Sequence, residues 1–189
     1  MKKILLLLAA LLTVWNVNAM EVGDVRLADS AQVGNATLLL NGAGVRVRVI
    51  VDVYVAALYL GKKMDKAEEV LADPGVKRIA LHMLYGMSST KLLNAFKDAI
   101  EANHSEAELA ALDGSLKKFY ALFGAISNIN NGDVILLDYF PATGTRVTIN
   151  GVERGVVEGA EVNRALLKIW LGNNPVQKDL KKELLGWKD

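Results

Sequence analysis

Two arginines interrupt an otherwise apolar run, NGAGVRVRVIVDVYVAALYLG, which begins at Asn41. A guanidinium presents several N–H donors in a rigid fork. Set in an apolar wall, it is a bidentate anchor for a carboxylate or a phenolate. Strands alternate faces residue by residue, so counting positions assigns Arg46, Arg48, Ile50, Asp52 and Tyr54 to one face. Val45, Val47, Val49, Val51, Val53 and Val55 fall on the other, an almost pure valine stripe that reads as core. The arginine face admits two readings. It is a solvated sheet face on which Arg48 and Asp52 pair, worth less than ~1 kcal/mol, or it turns towards helices as the floor of an apolar cleft.

Other chemistry is thin. His82 and His104 are the two histidines, without HxxxH or HExxH spacing, so no histidine-bound metal is expected. His82 lies in an apolar run and reads as a hydrogen-bonded core residue, while His104 reads as a helix-end residue favoured by the dipole. Gly42 and Gly44 supply two of the three glycines of a dinucleotide fingerprint, but a strand rather than a helix follows them. No GxSxG or phosphate-binding loop occurs, and no carboxylate pair resembles that of a glycosidase. Asp138, between Leu137 and Tyr139, reads as solvated. Cysteine is absent, which excludes thiol chemistry and thiolate metal sites.

The elements that position these residues follow from periodicity. ATLLLNGAG, from Ala36, reads as a strand entering a glycine turn. Val45 to Leu60 exceeds one typical strand, so a bend or bulge is expected near Ala56-Ala57, with Tyr59 changing face. VKRIALHMLYG is a further strand, bounded by Pro74-Gly75 and Gly86. The period then becomes helical. Ser88 or Ser89 caps a helix carrying Leu92, Leu93, Phe96 and Ile100, and Ser105 with Glu108 forms a capping-box pattern for the next. DVILLDYFP and TRVTINGVERGVVEG form a meander with a hairpin at Asn150-Gly151. A helix over EVNRALLKIWLG should end with Gly172 in the left-handed cap position, followed by a short amphipathic tail. Strands, two helices, a meander and two helices imply an α+β fold, an antiparallel sheet with helices on one face.

The chain has 189 residues, enough for one domain with a substantial core. MKKILLLLAALLTVWNVNAM has the charged start, short apolar run and small-residue ending of a secretory signal peptide. We therefore expect cleavage after Ala19 and a mature domain over 21–189. Removal of 1–19 takes away Lys2 and Lys3 and no acid. That leaves 20 basic against 21 acidic side chains, a net charge of −1. Such a balance argues against nucleic acid as a partner. No later segment is apolar enough to span a bilayer, and a short signal without cysteine fits a periplasmic protein.

NGAGVRVRV…DVYVAALYLG, LLKIWLGNNP and the closing LKKELLG resemble the chalcone isomerase-like family, in particular its bacterial exported branch. The resemblance implies an open-faced β-sandwich, a large antiparallel sheet under a layer of helices with a ligand cleft between them. In the plant enzymes that cyclise chalcones to flavanones, the GAGVR arginine holds the substrate's phenolate or enolate oxygen. In fatty-acid-binding relatives it is expected to hold a carboxylate. That role falls on Arg46, with Tyr54 at the position of a catalytic threonine and Arg48 left on the rim. The helix positions that carry a tyrosine and an asparagine in the plant enzymes match Thr90 and Lys97. Their threonine near the C-terminal helix matches the neighbourhood of Val176 and Gln177. The leading reading is a non-catalytic protein, without cofactor or metal, that binds an apolar molecule with an anionic end, such as a fatty acid, through Arg46 and Tyr54. The alternative is an isomerase (intramolecular lyase) in which Arg46 stabilises negative charge and Tyr54 carries a proton. A helper protein that has lost its pocket is the third class.

Overall fold

The computed structural model describes residues 19–187. The expected signal peptide lies almost wholly outside them. In chain order the elements are β1 (Ala19–Val22), β2 (Val25–Ala28), β3 (Ser30–Val33), β4 (Ala36–Arg48), β5 (Val51–Leu60), α1 (Ala67–Ala72), β6 (Lys77–Met83) and β7 (Met87–Ser88). There follow α2 (Ser89–Glu101), α3 (Glu106–Ala121), β8 (Asn128–Ile129), β9 (Val134–Phe140), β10 (Gly144–Ile149), β11 (Val152–Val157), α4 (Ala160–Leu171) and α5 (Lys178–Leu184). Seven strands form one antiparallel sheet in the order β11-β10-β9-β6-β5-β4-β3. The architecture is the expected α+β sheet under a helical layer.

The sheet has two apolar faces. Ala56, Leu58, Leu60, Ile79, Leu81, Ile135 and Val147 pack with Phe96, Phe119 and Trp170 into the larger, helix-side core. Val55, Ala57, Tyr59 and Ala80 point the other way and are covered by Leu27 and Val33, with Val22 and Val25 of the β1–β2 hairpin. The local punctuation falls where the residues place it. Ser88 caps α2, accepting from the Lys91 amide, and Ser105 and Glu108 complete both halves of the capping box on α3. Asn150 and Gly151 both have positive φ, at 51° and 76°, as a tight hairpin requires.

Several details differ from the sequence reading. The valine stripe does not persist, because the chain reverses at Val49-Ile50. Val47 and Val49 are exposed, whereas Val53 joins the helix-side core and Val55 the opposite one. Between Arg46 and Val47 the register shifts, so Val53 is the extra residue on β5, and Val53 and Tyr54 enter the same core although consecutive. No face change occurs near Ala56-Ala57, and Tyr59 stays on the face of Val55 and Ala57. Asp138 is buried, not solvated. It stands opposite Arg78 and accepts from its Nε and Nη2 at 2.5 and 2.7 Å. His82 is half-buried on β6, and burial alone depresses its pKa. His104 sits at the end of α2 with Nδ1 2.7 Å from the Ile100 carbonyl oxygen.

The glycines of NGAG do not form a turn, since β4 runs straight through them. Their role is close approach. A Cβ on Gly42 would lie 2.0 Å from the Glu183 carbonyl oxygen, and one on Gly44 would strike the Glu183 side chain, so α5 presses directly on the β4 backbone. Asn41 beside them is the extra residue of a second bulge. Its side chain bonds the backbone of Met64 (N and O) and Leu184 (O) at 2.8–2.9 Å, tying α5 to the sheet. Gly172 does end α4, but in extended backbone. Glycine is needed there because a Cβ would lie 2.2 Å from Asn103 Oδ1.

Candidate functional site

Arg46 and Tyr54 stand directly opposite each other across the β4–β5 ladder. Both line a groove of ≈ 910 Å³ between the open end of the sheet and α2. Val51, Val53 and Tyr54 form its floor. Thr90, Lys91, Asn94, Ala95 and Asp98 of α2 form one wall, and Tyr85, Met87 and Val176 close the ends. The surface is mainly apolar with a few convergent polar groups, the usual composition of a small-molecule site.

Tyr54 is almost fully buried, and its Oη accepts a hydrogen bond from Trp170 Nε1 at 3.0 Å. The indole nitrogen can only donate, so the direction is fixed and the tyrosine O–H is left to donate elsewhere. No protein acceptor takes it among the described residues. Burial pushes the hydroxyl up to about 12, against the opposing pull of the Trp170 hydrogen bond and the Arg46 charge. Tyr54 is thus a neutral donor at any physiological pH. Trp170 is held in turn by an edge-to-face contact with Phe96, whose ring centroid lies 5.8 Å away.

Arg46 is half-buried. Its Nη1 donates to the Val47 carbonyl oxygen and to Gln177 Oε1 at 3.3 Å, and no carboxylate pairs with it among the described residues. Gln177 is placed by a backbone requirement. Beyond Leu39, no strand among the described residues lies on the outer edge of β4, because β3 has ended, and exposed ladder groups need partners. The Gln177 side chain supplies them. Its Oε1 accepts from the Val47 amide at 2.9 Å, and its Nε2 donates to the Val45 carbonyl oxygen at 3.2 Å. The GNNP segment holds this latch in place. The Asn174 amide donates to Asn103 Oδ1, while the Asn103 and Asn174 side-chain amides donate to carbonyl oxygens of residues 174 and 102, joining it to the end of α2.

Arg46 and Tyr54, named from the sequence, are therefore brought together, and Arg48 lies exposed at the rim. Thr90 faces the groove. Lys97 does not, and pairs with Glu101 at 3.8 Å on the solvent side of α2. Lys91, Asn94 and Asp98 occupy the groove wall instead. Their three- and four-residue spacing marks a single helical face, a signal present in the sequence but passed over. Trp170 was missed as a site residue, and Gln177 was reached only as the neighbourhood of a threonine position in the plant enzymes, because backbone placement alone gives them their roles. A second groove, ≈ 900 Å³, lies between β1, β4 and α5. Its cations are already engaged: Lys63 donates to the Leu40 and Asn41 carbonyl oxygens, and Lys182 pairs with Asp179 at 3.2 Å. Among the described residues no cluster of side chains could hold a metal ion, and no helix is long and apolar enough to cross a membrane.

No curated protein matches the chain by sequence. Among solved structures it is similar to a fatty-acid binding protein from Arabidopsis thaliana, with a TM-score of 0.69 and 19% identity over 89% of this chain and 96% of that one. At that identity the likeness establishes a shared fold. The profile described as chalcone isomerase-like matches residues 19–186, a span that takes in all three motifs singled out in the sequence. The chain belongs to the chalcone isomerase-like family.

Proposed function

We propose that this protein binds a long-chain fatty acid, or a similar apolar molecule with one carboxylate, in the groove under α2. The observation that carries the reading is the pair of donors converging there. Among the described residues, Arg46 keeps N–H groups without a protein acceptor, and the Tyr54 O–H is left free by the Trp170 bond. Buried or half-buried donors without acceptors are costly, and an anionic oxygen would satisfy both. The apolar lining of Val51, Val53 and Met87 suits an acyl chain. The structural neighbour's own ligand class supports the same choice.

Catalysis of an isomerisation with Tyr54 as proton carrier is the weaker reading. A hydroxyl held near 12 is a poor base at neutral pH. The amino-terminal sequence supports export to the periplasm, where such a protein would meet fatty acids released from envelope lipids. Native mass spectrometry of protein purified from its own compartment tests the binding function. A co-purifying fatty acid supports it, and a co-purifying protein with no lipid favours a helper role instead.

A further inference from the structure

The β4–β5 hairpin ends in two consecutive β-branched aliphatic residues with almost nothing around them. Val49 is 92% exposed and Ile50 90%. Neither contributes to either core. Val49 also occupies the first position of the two-residue turn with φ +60°, a conformation that suits glycine and is strained for a branched side chain. Local rules are thus broken twice at one point, by apolar exposure and by backbone strain, without any gain inside the fold. The tip also stands at the mouth of the groove, where the half-exposed Tyr85 and the cationic Arg48 and Lys91 line the same opening.

We propose that the Val49-Ile50 tip inserts into a phospholipid bilayer and seats the mouth of the groove on its surface. A two-residue convex point is too small for a stable protein interface, which needs a broad complementary patch. Apolar side chains at a tip, beside a tyrosine and two cations, match the layered chemistry of a bilayer boundary. The aliphatics enter the acyl region, the aromatic ring lies at headgroup depth, and Arg48 and Lys91 face lipid phosphates. That a fatty acid then passes between bilayer and groove rests on the binding function proposed above.

The test is co-sedimentation of the mature chain with vesicles of mixed phosphatidylethanolamine and phosphatidylglycerol, alongside titration of the delipidated protein with free fatty acid. Ile50→Ser should lower vesicle partitioning about tenfold or more, from the apolar area it removes, with free fatty-acid affinity unchanged. Val49→Gly should also lower partitioning, while its unfolding midpoint stays level or rises because the turn is relaxed. Wild-type protein that binds free fatty acid but no vesicles overturns the docking inference and leaves the binding function standing. Protein that binds vesicles through the tip but no fatty acid supports docking and refutes the binding function. A wild-type dimer that Ile50→Ser dissociates would overturn the inference in favour of self-association.

Discussion

Replacing Arg46 with alanine removes the only guanidinium opposite Tyr54. A charge-assisted hydrogen bond to a carboxylate is worth ~1.5–3 kcal/mol. Arg46 is half-buried, so solvent screening lowers the upper end of that range, and its Nη1 is already shared between the Val47 carbonyl oxygen and Gln177. A loss of about 2 kcal/mol follows, roughly thirtyfold in Kd. Arg46→Lys should recover about half of it, because an ammonium cannot offer two parallel donors to one carboxylate. Arg48→Ala, at the exposed rim, should change affinity less than about twofold. The arginine's own bonds to β4 and Gln177 contribute about 1 kcal/mol to folding, so the variant stays folded. The assay is calorimetric titration of delipidated protein with a long-chain fatty acid at low and moderate salt, with thermal unfolding as a control. Equal affinities for wild type and Arg46→Ala would refute the reasoning and leave the arginine as a brace for the strand edge. An Arg48→Ala loss as large as that of Arg46→Ala would show nonspecific charge attraction instead.

Tyr54→Phe should destabilise the fold by about 1–3 kcal/mol, since Trp170 Nε1 loses its buried acceptor; denaturant unfolding measures it. In alkaline titration, tyrosinate absorbance should show one hydroxyl ionising near 12, and that step should vanish in Tyr54→Phe. The folded pKa lies above the unfolded value of 10. Stability from this group is therefore complete below pH 10 and is lost as pH rises through about 12. Gly42→Ala should cost about 3 kcal/mol or detach α5, because the added Cβ meets the Glu183 backbone oxygen, and the same unfolding assay reads it. Purified protein should close chalcone no faster than its Arg46→Ala variant does. A faster rate that collapses in the variant would restore the isomerase reading. Sequencing the exported protein from its amino end should give Met20 as the first residue, and retention of residues 1–19 would refute cleavage.

The parts of this fold that were legible in the sequence are those fixed by neighbours close along the chain. Ser105 and Glu108, Asn150-Gly151 and the leucine and phenylalanine spacing of α2 each carry their own explanation, and the structure follows them. The hairpin at Val49-Ile50 was invisible because its residues are strand formers, so periodicity ran through a turn that has no turn chemistry. Gly42 and Gly44 carried a turn signal in a strand, because the partner that needs them bare, α5, lies some 140 residues away. Asp138 looked solvated for the same reason: Arg78, which neutralises it, is 60 residues distant. Arg46 and Arg48 stood out because guanidiniums in an apolar run are conspicuous, and the family resemblance singled out Arg46. Gln177 has no such signature, since its role comes from where β3 stops.

The contact between Arg46 and Gln177 links the resembling motifs in space. NGAG lets α5 lie against the β4 backbone, GNNP fixes the start of that helix to the end of α2, and the helix start carries Gln177 to the unpaired edge of β4. NGAG is remote in sequence from GNNP and Gln177, yet all three restrict the same guanidinium. Preorganisation of this kind reduces the ordering cost on binding and adds affinity without adding contacts. Gln177→Ala isolates that effect, because it leaves Arg46 and Tyr54 intact while removing the guanidinium's side-chain partner and the acceptor of the Val47 amide. Affinity for a fatty acid should fall by about threefold to tenfold, the scale of one lost side-chain restraint. Arg46→Ala added to Gln177→Ala should then cost less than it does in wild type. Additive losses in that double-mutant cycle would mean that Gln177 braces the strand edge and does not position the arginine.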